Sequence, residues 1–245
     1  MLLCLLAALA ALAGAAPVKK VVPPSLGIVT ASGSGFSSLS LPLQIAITLT
    51  LLTLLPAVVM TITPFLRIVV VLHFLRQALG TQSTPSNQLL VGLSLFLAIL
   101  VFQPVVGEIY RQAWEPMEKG QISAGQALEE GSKPLKTFLA RYAREKDVRL
   151  FVEISKSPAP RTPADLPVQI LIPAYILSEL KTAFQIGAVL FLPFLVIDIV
   201  VASVTLSIGM VQLPPVMLSA PFKILIFVLV DGWNLVVGSL IKSFY

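Results

Sequence analysis

Between Leu171 and Lys242 the chain is a nearly unbroken apolar run carrying six charged residues: Glu179, Lys181, Asp198, Lys223, Asp231 and Lys242. A charge inside an apolar helix costs about 2.5–3.5 kcal/mol on insertion scales, so it is normally paired, water-lined or functional. The run therefore places the chain in or against a membrane. It also requires some of its helices to face protein or a pore as well as lipid. The rest of the chain agrees: 56% of its 245 residues are hydrophobic and only 12% are charged. A soluble domain has about 45–50% apolar and about 25% charged residues.

The net charge of +5 does not point to nucleic acid. The basic residues form no stripe and have no aromatic interleaving. From Arg111 to Asp165, 10 Lys/Arg stand beside 8 Asp/Glu. The single cysteine, Cys4, excludes an internal disulfide framework and a cysteine-cluster metal site. His73, the one histidine, has no Cys, Asp or Glu near it in sequence, and a metal site needs several convergent ligands. A packing role is expected for it, and no metal or other cofactor. The sequence holds no phosphate-binding glycine loop, Ser/His/Asp constellation or paired-carboxylate motif, so no enzyme activity is expected.

Leu2–Leu12 is apolar but too short to span a bilayer, which needs about 20 residues. Ala13-Gly14-Ala15-Ala16 follows, a small-residue pattern suited to signal peptidase, and residues 1–16 are expected to be a signal peptide. No Lys or Arg precedes the apolar core, so an N-terminal anchor is the alternative. A Pro/Gly/Ser-rich linker over residues 17–40 comes next.

Four apolar segments follow, at about Leu43–Ile62, Leu89–Ile109, Phe184–Ile208 and Val216–Ile241. The expected fold is all-α: membrane-associated helical hairpins over residues 41–109 and 168–245, with a small helical subdomain between them. That subdomain, residues 110–167, is polar and closes on Pro158, Pro160, Pro163 and Pro167. Ser123 and Gln126 have capping-box spacing. Pro134 is expected to open a helix with Leu135, Phe138, Leu139 and Tyr142 on one face. Arg67 and Arg76 lie in the first connection, which by charge should face the cytoplasm and leave the polar block periplasmic. Two connections fit this scheme poorly. Pro64–Gly80 and Leu166–Leu180 are too apolar for solvated loops and should rest against other helices.

Several long motifs, spread over separate segments, resemble one family. They are Thr63-Pro64-Phe65-Leu66-Arg67-Ile68, Phe74-Leu75-Arg76-Gln77-Ala78-Leu79-Gly80, Thr84-Pro85-Ser86-Asn87, and Ile172-Pro173-Ala174-Tyr175 running through Ser178-Glu179-Leu180-Lys181 to Phe184. Leu192-Pro193-Phe194 through Asp198, Leu213-Pro214-Pro215-Val216-Met217, Pro221-Phe222-Lys223 and Val230-Asp231-Gly232-Trp233 complete the set. From about Leu43 onward the chain resembles the FliP family of flagellar type III export gates and its injectisome counterpart.

The resemblance implies a pentamer joined by FliQ- and FliR-like subunits, raised out of the membrane plane around a central channel. It implies a bacterial inner membrane location in the flagellar basal body, FlhA/FlhB-like export components as partners, and unfolded flagellar subunits as cargo. Energy would come from those partners, through a separate ATPase and the proton gradient.

The resemblance also suggests roles for particular residues. The loop Gly209, Met210, Val211, Gln212 and Leu213, within the break 209–215, would line the gate. The family's methionine run is reduced here to Met210, whose flexible thioether suits a gasket. Glu179 and Lys223 are expected ion-pair partners, and Lys181 is either in the same buried network or a snorkelling flank charge. Asp198 has no basic residue within a helical turn and is expected to be a hydrogen-bonded, protonated carboxyl or, less simply, a proton relay. Asp231, eight residues after Lys223, should share its helix face. Arg67 and Arg76 are expected to be topological or interface charges. The competing readings are an ion-coupled small-solute transporter, drawn from Asp198, Asp231 and the proline-broken helices, and a non-conducting assembly scaffold.

Overall fold

A computed structural model describes residues 40–81, 83–155, 166–209 and 214–245. The signal peptide, the linker up to residue 39, and Pro158, Pro160 and Pro163 lie outside these residues. Among the described residues there are helices and no strands, so the chain is an all-α membrane protein.

α1, Leu41–Ile62, and α3, Asn87–Ile109, follow two of the apolar segments within two residues at each end. Between them lies α2, Phe65–Ala78, where charge placement suggested an exposed connection. Its side chains Ile68, Val71, Leu72 and Leu75 are fully buried. The apolar excess of Pro64–Gly80 is thus the surface of a central helix, and Arg67 is not a cytoplasmic surface charge.

After α3 a π-helical turn, Tyr110–Trp114, leads into the short α4, Glu115–Glu118. The polar block folds as α5, Ala124–Tyr142, and α6, Glu145–Ser155. α5 starts at the Ser123/Gln126 capping box, where both reciprocal hydrogen bonds form. Pro134 therefore does not open this helix but lies within it. The capping box satisfies two end donors, so the helix starts there and absorbs the bond that Pro134 cannot make. The face Leu135, Phe138, Leu139 and Tyr142 packs as expected, against Phe102, Tyr175 and their neighbours.

α7 runs unbroken from Val168 to Ser207, through Pro173 and Pro193. Its 40 residues span about 60 Å at the usual rise, about twice a hydrocarbon core. The packing divides it. Leu171, Ala174, Tyr175, Ser178, Glu179 and Ala183 are fully buried, whereas Val189, Leu192, Val196 and Val200 are more than half exposed. The buried half lies against α2, α5 and α6. Gly187 packs against α2 without room for a side chain: a Cβ there would sit 2.5 Å from the Phe74 ring.

Gly209 ends α7 with φ +82, a conformation that L side chains rarely adopt. The chain returns as α8, Pro215–Leu229, with proline at the first helical position, where its missing N–H costs nothing. α7 and α8 form a long hairpin. α8 then bends by 68° into α9, Gly232–Lys242, so the last apolar segment is not one straight span. Three helices are long and apolar enough to cross a membrane, or four if the bent pair counts as one.

Candidate functional site

The charges in the apolar helices are paired, but not as the resemblance suggested. Glu179 meets Arg67 rather than Lys223. Arg67 Nε donates to Glu179 Oε2 at 2.8 Å and Nη2 donates to Oε1 at 2.5 Å, a bidentate geometry specific to arginine. Nη1 of the same guanidinium donates to the Ser243 carbonyl at 3.1 Å and to its hydroxyl at 3.0 Å. The Phe244 ring lies 4.0 Å from the guanidinium carbon, within cation–π range. Tyr142 completes the clasp by donating its hydroxyl to the Phe244 carbonyl at 2.6 Å. Burial pushes the Tyr142 phenol above its ordinary value, which keeps it a donor. One buried guanidinium thus joins α2, α5, α7 and residues 243–244.

The second clasp sits further along the α7–α8 hairpin. Lys223 Nζ donates to Asp198 Oδ2 at 2.6 Å and to the Ala78 carbonyl at 3.0 Å. Ser219 Oγ donates to Asp198 Oδ1 at 2.5 Å. Asp198 is therefore not an isolated acid: it meets Lys223 and Ser219 of the neighbouring helix. Lys223 lies two turns into α8, beyond reach of a helical-turn search along α7. Its bond to Ala78 places a positive charge at the C-terminal end of α2, where the helix dipole favours it. Asp231 is not in this network. It is exposed, stands in the bend at φ 51, and lacks the shared face because α8 ends at Leu229.

The remaining expected residues are dispersed. Lys181 is exposed and Arg76 half-buried, with Arg76 Nη1 donating to the Pro85 carbonyl at 3.3 Å across the turn between α2 and α3. His73 packs structurally: Nδ1 lies 2.7 Å from the Val69 carbonyl and Nε2 lies 2.8 Å from Asn87 Oδ1. Among the described residues no cluster fit to hold a metal occurs. Gly209 marks the exposed hairpin tip, whereas Met210, Val211, Gln212 and Leu213 lie outside the described residues.

A third junction was not anticipated from sequence. The Arg144 backbone N–H donates to Ser178 Oγ at 2.8 Å, and that hydroxyl faces Asp147 Oδ2 at 2.7 Å and the Ala174 carbonyl at 2.8 Å. Arg144 Nη2 reaches Gln185 Oε1 at 2.5 Å. These bonds fasten the polar block to the buried half of α7. The available signal was Ser178 within an apolar stretch, a buried hydroxyl in need of a partner.

Fold and site together define an all-α membrane protein whose long apolar helices are cross-tied by buried charge. The FliP family model matches residues 48–240. The chain is 48% identical over 220 residues to the flagellar biosynthetic protein FliP of Pectobacterium carotovorum subsp. carotovorum, covering 89% of this chain and 85% of that protein. With its counterpart from Bacillus subtilis (strain 168) it shares 46% over 213 residues, covering 87% and 96%. With that of Caulobacter vibrioides it shares 44% over 228 residues, covering 93% and 85%. The chain belongs to the FliP family.

Proposed function

We propose that this chain is a channel-forming core subunit of the flagellar type III protein export gate. It would pass unfolded flagellar subunits across the bacterial inner membrane and catalyse no reaction itself. The observation that carries the reading is the family match over residues 48–240, which spans both ion pairs, Arg67–Glu179 and Asp198–Lys223, and the break 209–215. The relatives carry a flagellar name, which favours the flagellum over the injectisome.

The architecture supports the reading in a second way. α1 has no buried residue, and the outer half of α7 exposes Val189, Leu192, Val196 and Val200. Such surface needs lipid or partner helices to cover it. A pentamer with FliQ- and FliR-like subunits would supply the helices, with FlhA/FlhB-like components nearby and the polar block in the periplasm. The α7–α8 hairpin, braced by Lys223 and Asp198, would then hold residues 209–213 toward the channel.

The solute-transporter reading has less support, because Asp198 accepts from Lys223 and Ser219 and Asp231 stands apart from it in the bend. The test is a photo-crosslinking residue at Met210, in a complex loaded with a stalled export substrate. Crosslinks to the substrate are expected. A substrate that crosslinks to other subunits but never to position 210 would favour the scaffold reading.

A further inference from the structure

The apolar helices carry more charge than their two ion pairs use. Arg67 is matched by Glu179, and Asp198 by Lys223. Glu108 borders the polar block, and Arg76, Lys181, Asp231 and Lys242 form no ion pair among the described residues. Asp231 is the one acid of these four, and its surroundings are apolar. Val228, Leu229 and Val230 before it and Leu235 after it are all more than half exposed.

The bend at Asp231 does not need a charge. At φ 51 an asparagine or a glycine would serve as well. The side chain makes no capping bond to the start of α9. The α9 dipole favours an acid there, but by less than an unpaired acid costs in apolar surroundings. This carboxylate therefore calls for a cation that its own chain does not bring to it.

Helix contacts fix the depth at which that cation must stand. Phe227 packs on Phe194 with ring centroids 6.3 Å apart. α8 runs back along α7, so Asp231, one turn further, is within about a turn of the level of Leu190. α2 runs in the same direction as α7: Arg67 meets Glu179, and Phe74 meets Gly187 and Phe191. Arg76 is thus also level with Leu190 to within about a turn. Lys181 and Lys242 lie beside Glu179 and Ser243, which Arg67 joins, about 13 Å away along α7.

Arg76 and Asp231 share a level but face different sides. Val71 shares a cleft with Leu235 and Leu240 of α9. Arg76, five residues on, lies about 140° further round α2. Its half-buried guanidinium spends one donor on the Pro85 carbonyl at 3.3 Å and has others to give. Copies that stand side by side with parallel helices keep equal levels. An acid on one side and a cation on the other then meet across a head-to-tail contact.

We propose that Asp231 forms an ion pair with Arg76 of a neighbouring copy of this chain. The same contact covers the exposed apolar residues around the bend, so the pair is shielded from water. The inference rests on the self-association that the export-gate reading includes, and not on the passage of substrate.

Two differently tagged full-length chains, both with Cys4→Ser, are co-expressed with the FliQ- and FliR-like partners. One carries Arg76→Cys and the other Asp231→Cys. Mild oxidation should join the two tags in a disulfide-linked dimer, and neither variant should link to its own kind. Charge reversal gives an independent readout. Asp231→Arg or Arg76→Asp alone should lower the recovered oligomer at least about tenfold, because a charge left unpaired in a dry contact is costly. The two reversals in one chain should restore it. No dimer joining the two tags, or a double reversal no better than the single ones, would overturn the proposal. The dimer without a substrate crosslink at Met210 would count against the export-gate reading alone, and a substrate crosslink without the dimer against this contact alone.

Discussion

The two halves of α7 have similar side chains and opposite surroundings. From Ile170 to Ala183 the helix is packed among α2, α5 and α6, while beyond Phe184 it exposes most of its apolar residues. Average hydropathy cannot separate them, because lipid and a protein interior are equally apolar. The polar residues do separate them. Ser178 and Glu179 sit in the first half, each with partners from other helices. The second half holds Asp198, met by Lys223 of its own hairpin. An ionisable group in an apolar helix thus reports where that helix must meet another helix.

The largest expected effect breaks the buried half at its hub. Arg67→Ala leaves Glu179 buried without its cation and frees residues 243–244. Removing one member of a buried pair costs about 3–5 kcal/mol. Little folded protein should be recovered by size-exclusion chromatography in detergent. A normal yield and melting temperature would mean that the clasp does not hold the fold.

The next comparison uses two leucines in different surroundings. Leu72 in α2 is fully buried and Leu52 in α1 is 61% exposed. Leu72→Ala should destabilise by about 2–5 kcal/mol through lost burial and a cavity. Leu52→Ala should leave thermal unfolding of the isolated chain nearly unchanged. Equal effects would erase the distinction between the two surfaces.

Lys223→Ala should fall below Arg67→Ala. The Asp198 side chain is 26% exposed and keeps its bond from Ser219, so water can replace part of what is lost. A cost of about 1–3 kcal/mol is expected, with a lower yield of complex with the FliQ- and FliR-like subunits. Tyr142→Phe removes only the bond to the Phe244 carbonyl and should cost about 0.5–1.5 kcal/mol. A loss in melting temperature as large as that of Arg67→Ala would place the weight of the clasp on the tyrosine instead.

Much of this architecture was legible in the residues. α1 announces itself as an uncharged apolar run, and α3 as an apolar run that opens at Ser86 and Asn87 and stays uncharged until Glu108. The burial of α2 followed from its excess of Ile, Val and Leu over what a solvated connection tolerates. The capping box at Ser123 was legible because its two partners are three residues apart. The pairing of charges was not. Arg67 and Glu179 are separated by 112 residues, and only the packing of α2 against α7 decides that they meet. Asp198 and Lys223 are closer, 25 residues apart, but their meeting depends on the hairpin turning between them. Asp231 misled because a period of 3.6 holds only while a helix continues, and this one bends at Val230. Pro134 misled because proline marks a helix start only where no stronger cap precedes it.

The most direct test of the account is a double-mutant cycle on the first clasp, with Arg67→Met, Glu179→Leu and their combination followed by thermal unfolding of the detergent-solubilised chain. If the two side chains are a buried pair, each single variant strands a charge and the double variant strands none. The double variant should then be more stable than either single one, with a coupling of at least about 2 kcal/mol. Additive losses would mean that Arg67 and Glu179 do not meet, and that the buried half of α7 is held by something other than its charges.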